Sequence, residues 1–147
     1  MPNLAAQFSS EYLTDEQMAA ALKALPAALT ELFGECKCTV LYGYGTQLHV
    51  DLWYKQMSVG TCGMSWFIEE SVDQRIVVPG GSDLFINSPH NELALLFCHE
   101  SDIHVDGESL DAMQRFMAAE PFRSMRFYSH EELKLQYPEF DPSRIRS

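Results

Sequence analysis

Apolar positions change rhythm twice along the chain. Met18, Leu22, Leu25, Leu29 and Leu32 recur in steps of four and three, which marks one face of a helix. Thr14 and Gln17 precede them at capping-box spacing, and Gly34 follows as a stop. Pro26 lies midway and lacks a backbone donor, which predicts a kink or two abutting helices. Residues 1–13 have no clear period and are expected to lie loosely on the surface.

From Cys36 the period falls to two. In CKCTVLYGY one face carries Cys36, Cys38, Val40, Tyr42 and Tyr44, and Gly45-Thr46 follows as a turn. In QLHVDLWY, Leu48, Val50, Leu52 and Tyr54 alternate with Gln47, His49, Asp51 and Trp53. The two segments read as a hairpin. MSWFIEE is predicted as a third strand, entered through Gly60 and Gly63, and QRIVV as a short one ending at Pro79-Gly80-Gly81. DLFIN follows and stops at Ser88-Pro89-His90. ELALLFCH is apolar on both faces, so it belongs in a sheet interior with both sides covered. DIHV is a short strand after it.

The helical period then returns with Leu110, Met113, Phe116 and Met117, followed by Pro121. Ser129 and Glu132 form a second capping box, opening a short helix that Pro138 closes. No linker, repeat or low-complexity run divides residues 1–147. The pattern predicts a single α+β domain: an N-terminal helix, an antiparallel meander of five to seven strands, and C-terminal helices packed on one face.

With 46% hydrophobic and 21% charged residues, the 147-residue chain can bury a core. The net charge of −11 changes the picture more. It disfavours nucleic acid and anionic membranes and favours a basic protein partner, the plainer alternative being that the acid simply keeps the protein soluble. The apolar run LALLFC is too short to cross a bilayer. The opening MPNLAAQFSSEYL lacks a basic start and an apolar stretch. A cytoplasmic location is therefore expected, with Cys36, Cys38, Cys62 and Cys98 as free thiols.

The candidate chemistry centres on a tripeptide that occurs twice, His49-Val50-Asp51 and His104-Val105-Asp106, the second inside HESDIHVDG. A zinc-protease helix needs histidines four apart. His99 and His104 are five apart, which separates them by about 140° on a helix and puts them on opposite faces of a strand. In an extended DIHVD, Asp102, His104 and Asp106 share one face while Ile103 and Val105 point to the core. His49 and Asp51 pair in the same way. If the two strands were neighbours, these five side chains would form an acid–base or metal site. The plainer alternative is two polar faces of half-buried strands, with Asp106 capping a helix that begins at Gly107 or Glu108.

Other templates fail. Cys36 and Cys38 share a face, but cysteine metal sites usually take two such pairs, so buried thiols are expected. Cys98 and His99 are neighbours on a strand and point apart. YGYGTQ and VPGGSD lack the spacing and lysine of a phosphate loop, and no Gly-x-Ser-x-Gly elbow occurs. No cofactor is expected. Trp53, on the polar side of its segment, is a candidate partner anchor, the alternative being a core residue under a helix.

Three readings follow. The first is an acidic protein-binding domain, such as an inhibitor or immunity-type neutraliser of a basic partner, with Trp53, His49, Asp51, Asp102, His104 and Asp106 as contact residues. The second is a small enzyme or metal-binding domain built on His49, Asp51, Asp102, His104 and Asp106. The third is a homo-oligomeric structural subunit.

Overall fold

The computed structural model describes residues 7–136. Helix α1 (Asp15–Phe33) begins where the capping box places it. Gln17 N–H donates to Thr14 Oγ1 at 3.1 Å, and Thr14 N–H donates to Gln17 Oε1 at 2.8 Å. Gly34 ends the helix at φ +66°, a conformation that suits glycine. Pro26 sits inside one helix rather than between two. The buried stripe of Met18, Leu22, Leu25 and Leu29 matches the helical period.

The strands are β1 (Phe8–Ser10), β2 (Lys37–Tyr42), β3 (Met57–Gly60), β4 (Leu84–Asn87), β5 (Ala94–Phe97), β6 (Ile103–Asp106) and β7 (Phe127–Ser129). They form one sheet in the order β3-β2-β4-β5-β6-β1-β7, and every neighbouring pair is antiparallel. The domain is thus α+β around a single antiparallel sheet. The doubly apolar segment ELALLFCH supplies β5, the central strand.

Register sorts the sheet into two faces. Val40 lies opposite Ile86, Ile86 opposite Leu95, and Leu95 opposite Val105. These residues are buried with α1, with Met64 and Ile68 of α2 (Thr61–Asp73), and with Met113 and Phe116 of α3 (Leu110–Ala118). The other face carries a row of Leu41, Phe85, Leu96, His104, Ser9 and Tyr128, each opposite the next. Helix α4 (His130–Gln136) follows β7, and its His130 side chain reaches Ser9 on this second face.

Several sequence expectations are corrected. QLHVDLWY is no strand: Val50–Leu52 form a 3-10 turn inside the connection from β2 to β3. The physical reason is competition for edges, because β2 already pairs with β3 on one side and β4 on the other. MSWFIEE is helical, within α2. Met64, Phe67, Ile68 and Val72 stand at helical spacing, and Trp66 points outward. QRIVV is irregular, with Arg75 at φ +59°. Residues 8–10, expected to lie loosely, form an inner strand between β6 and β7. The helix after Asp106 is capped by Ser109, whose Oγ accepts from Ala112 N–H at 3.1 Å. Asp106 instead accepts from its neighbour Gly107 N–H at 3.0 Å. Glu132 N–H donates to Ser129 Oγ at 3.1 Å, as the second capping box implies. Pro138 lies outside the described residues.

Candidate functional site

Two groups of side chains gather at the end of the sheet where β2 leaves, β4 begins and β5 turns into β6. The first is an aromatic surface on the β2–β3 connection. Trp53 packs edge-on against Tyr44, with ring centroids 6.0 Å apart, and Tyr44 lies 4.6 Å from the His99 ring. Tyr54 tilts over Phe85 at 5.6 Å. Local hydrogen bonds hold the arrangement. Trp53 Nε1–H donates to Leu48 O at 3.2 Å, and Tyr54 N–H donates to Tyr42 O at 2.7 Å. Tyr54 takes φ +60°, a left-handed conformation uncommon for an aromatic residue. Burial, and then the nearby Asp83 carboxylate, raise its phenol pKa.

Among the described residues, half of the eight exposed large hydrophobics, namely Tyr44, Val50, Leu52 and Tyr54, fall within residues 44–54. Scattered singly they would call for no explanation; here they are concentrated in one connection. Acids border it. Asp51 and Glu100 have side chains 81% and 65% exposed, against a single lysine, Lys55, in the same connection.

The second group lies beneath, on the β5–β6 turn. Asp83 Oδ1 accepts from His99 N–H at 2.7 Å and also contacts His99 Nδ1 at 2.8 Å. Cys98 is buried just past the end of β5, and its N–H donates to Asp102 O at 2.9 Å. Burial pushes the Cys98 thiol pKa up. A hydrogen bond from Glu100 N–H opposes that shift, while Asp102, Asp83 and Glu100 add to it. His104 Nε2 lies 3.2 Å from Asp102 Oδ1, and His104 Nδ1 lies 2.8 Å from Ser9 Oγ. Ser9 Oγ in turn lies 3.2 Å from His130 Nε2.

Ser9, His104 and Asp102 thus form a line like that of a nucleophile, a base and an orienting acid. Its geometry does not suit that chemistry. Ser9 and His104 are buried beneath the sheet surface. Nor is the His104–Asp102 contact a hydrogen bond, since neither Nε2 nor Oδ1 has a hydrogen-bond partner.

The six sequence-selected residues separate accordingly. Asp102, His104 and Asp106 share a face, with Ile103 and Val105 turned to the core, as alternation requires. That face is covered, however, and His104 and Asp106 are interior. Asp106 Oδ2 accepts from Gln7 Nε2 at 3.4 Å. His49 and Asp51 meet each other, Nδ1 to Oδ2 at 3.2 Å, on the exposed 3-10 turn. Among the described residues, the two sets of three metal-capable donors that converge include neither His49, Asp51 nor Asp106. The five-residue site imagined from two neighbouring strands does not form, because one of the two segments is not in the sheet.

Sequence reasoning passed over Asp83, which sits 16 positions from His99, and weighed His99 only against His104 and Cys98. It also treated Cys98 only against its immediate neighbour. Pairing of β4 with β5 brings these residues together, and no local spacing encodes that pairing. The chain matches no protein-family model, no curated protein and no solved structure, so function rests on this geometry alone.

Proposed function

We propose that this domain binds a basic protein, and that the aromatic surface on residues 44–54 is where the partner docks. The observation that carries the reading is the concentration of exposed Tyr44, Val50, Leu52 and Tyr54 in one connection, with Tyr44 packed against Trp53. Aromatic side chains anchored by local hydrogen bonds lose little entropy on binding, and tryptophan and tyrosine dominate interface energetics. The −11 net charge supplies long-range attraction toward a cationic partner and repels anionic ones. Asp51 and Glu100 flank the aromatic cluster, where they can pair with lysine or arginine at the rim. His49 joins Asp51 on the same turn. His104 and Asp106 are interior and are left out of this contact surface.

An inhibitor or immunity-type neutraliser is the concrete form this takes: an acidic, aromatic plug for a positively charged site. The test is crosslinking in native extract, followed by affinity measurement with the purified partner. The partner should be basic, and binding should weaken as salt rises. Trp53→Ala should weaken it by at least tenfold, a change of about 1.4 kcal/mol or more. An acidic partner, or one bound equally well by Trp53→Ala and Tyr44→Ala, would sink the proposal. Sedimentation as a dimer that buries residues 44–54 would replace the basic partner with a second copy of the chain.

A further inference from the structure

On the β5–β6 turn, three donors of different chemistry lie close together. Cys98 Sγ, Asp102 Oδ1 and His104 Nε2 lie within 4.8 Å of one another. They come from one hairpin, the end of β5 and the start of β6, and they are shielded from water. Cys98 is buried, and the side chains of His104 and Asp102 are only 3% and 14% exposed.

The hydrogen bonds around His104 bear on its tautomer. Nδ1 lies 2.8 Å from Ser9 Oγ, and Ser9 Oγ lies 3.2 Å from His130 Nε2. A proton on Nδ1 donated to Ser9, with the Ser9 hydroxyl donated to His130, satisfies both contacts. That leaves His104 Nε2 as a bare lone pair. It stands 3.2 Å from Asp102 Oδ1, and both atoms are buried without a hydrogen-bond partner. The other tautomer does not help, because a proton on Nε2 would not point at that oxygen well enough to bond. Two lone-pair-bearing atoms this close in the interior repel unless a cation lies near both. Nitrogen and oxygen ligands about 2.0–2.1 Å from a tetrahedral ion stand roughly 3.3–3.4 Å apart, close to the observed separation.

A second donor set, Asp83, Cys98 and His99, shares the same sulfur. There Asp83 Oδ1 is already engaged by His99, at 2.7 and 2.8 Å. The unengaged lone pairs therefore single out the Asp102–His104 side.

We propose that Cys98, Asp102 and His104 bind one divalent transition-metal ion, with zinc the best fit. Thiolate and imidazole disfavour magnesium and calcium, and the mixed sulfur, nitrogen and oxygen set suits zinc. On binding, the thiol proton leaves to solvent and a metal–sulfur bond forms, with no change of oxidation state. Thiolate and carboxylate then balance the two positive charges. Ser9 is a positioning residue: by accepting from Nδ1 it fixes the tautomer and aims Nε2. The ion would clasp the β5–β6 turn closed.

The test uses the untagged full chain, stripped with chelator and titrated with cobalt(II). One equivalent should produce a thiolate-to-cobalt charge-transfer band, and zinc should bleach it. Cys98→Ser should abolish the band. The double variant Cys36→Ser/Cys38→Ser should keep it, which excludes the other thiol pair. Ser9→Ala should keep the band but weaken affinity by roughly 10–100-fold. No band in the wild type, a band surviving in Cys98→Ser, or a band lost in the Cys36/Cys38 variant would each overturn the assignment. If Cys98→Ser does not fold, X-ray absorption at the zinc edge of the wild type decides. One sulfur among nitrogen and oxygen ligands supports the site; none, or two or more, overturns it.

Discussion

His49-Val50-Asp51 and His104-Val105-Asp106 are the same tripeptide in opposite circumstances. Val50 is 61% exposed on a 3-10 turn, whereas Val105 is fully buried in β6. His49 and Asp51 reach each other through water-exposed space, but His104 and Asp106 are interior. Alternation in the sequence is a statement about what a segment could do in a sheet, not about whether a place in the sheet exists for it. β6 has two partners, β5 and β1. Residues 49–51 have none: they lie in the connection between β2 and β3, which pair directly with each other.

The largest effect that could break this contrast is a charge in place of each valine. Val105→Asp puts an unpaired carboxylate among Leu95, Phe8 and the helices, and should cost about 4 kcal/mol or more, enough to unfold many domains. Val50→Asp should change stability by less than about 0.5 kcal/mol. Urea denaturation of both variants checks the pair. Comparable losses would mean that the 3-10 turn carries a load the contacts do not reveal.

Next in size is removal of each imidazole. His104→Ala deletes the contact with Ser9 and leaves a hole in the interior; about 2–3 kcal/mol is expected in metal-free protein. His49→Ala should be nearly silent in the same measurement, since its partners are exposed.

The same contrast explains what the sequence could and could not disclose. The helix at Met18–Leu32 was legible because a capping box, a periodic stripe and a terminal glycine all agreed. The central place of β5 was legible because a strand apolar on both faces needs cover on both. Residues 64–70 misled because Met64, Trp66 and Ile68 alternate while Met64, Phe67 and Ile68 also fit a helix, and short apolar runs fit both templates. β1 was invisible: three residues, Phe8–Ser10, carry no period of their own and are strand only because β6 and β7 offer edges on either side. Of the candidate site, the shared face of Asp102 and His104 followed from alternation. Their convergence with Cys98, and that of Asp83 with His99, required the pairing of β4, β5 and β6.

One local signal does separate the two tripeptides. Gly107 follows the second, at φ +135°, and a Cβ there would stand 2.4 Å from Glu92 O. The close approach lets Glu108 N–H and Ser109 N–H donate to Asn91 O and Glu92 O at 2.9 and 3.1 Å, tying the chain just after β6 to the connection between β4 and β5. Leu52, which carries a side chain, follows the first tripeptide.

A smaller effect sets buried thiols against an exposed one. Cys38, on the core face, has its thiol pKa pushed up to about 12 by burial, then by Cys36 through charge and a hydrogen bond. The neutral thiol is the form the fold holds. Its contribution to stability is fully present below the ordinary value of 9.0 and is lost as pH rises from there toward about 12. Burial also raises the Tyr42 phenol pKa, partly offset by its 2.5 Å contact with Ser71 Oγ, and so acts in the same direction. Thermal melts should therefore show Tm falling on the alkaline side. At neutral pH an alkylating reagent should modify exposed Cys62 first, and reach Cys38 and Cys98 only when the chain unfolds. Equal labelling rates for the four thiols would contradict the burial that defines the sheet side of the comparison.

The smallest expected effect is at Asp51. Its contact with His49 is local, two residues apart and open to water, so Asp51→Asn should shift stability by under about 0.5 kcal/mol. That near-silence makes it useful. If the surface on residues 44–54 receives a basic partner, Asp51→Asn should reduce the association rate and flatten its dependence on salt while leaving Tm unchanged, because a rim charge acts during approach. Stopped-flow association at two ionic strengths gives both quantities. A fold penalty above about 1 kcal/mol, with no change in association rate, would show that the exposed tripeptide serves the fold after all and would dissolve the distinction between the two His-Val-Asp segments.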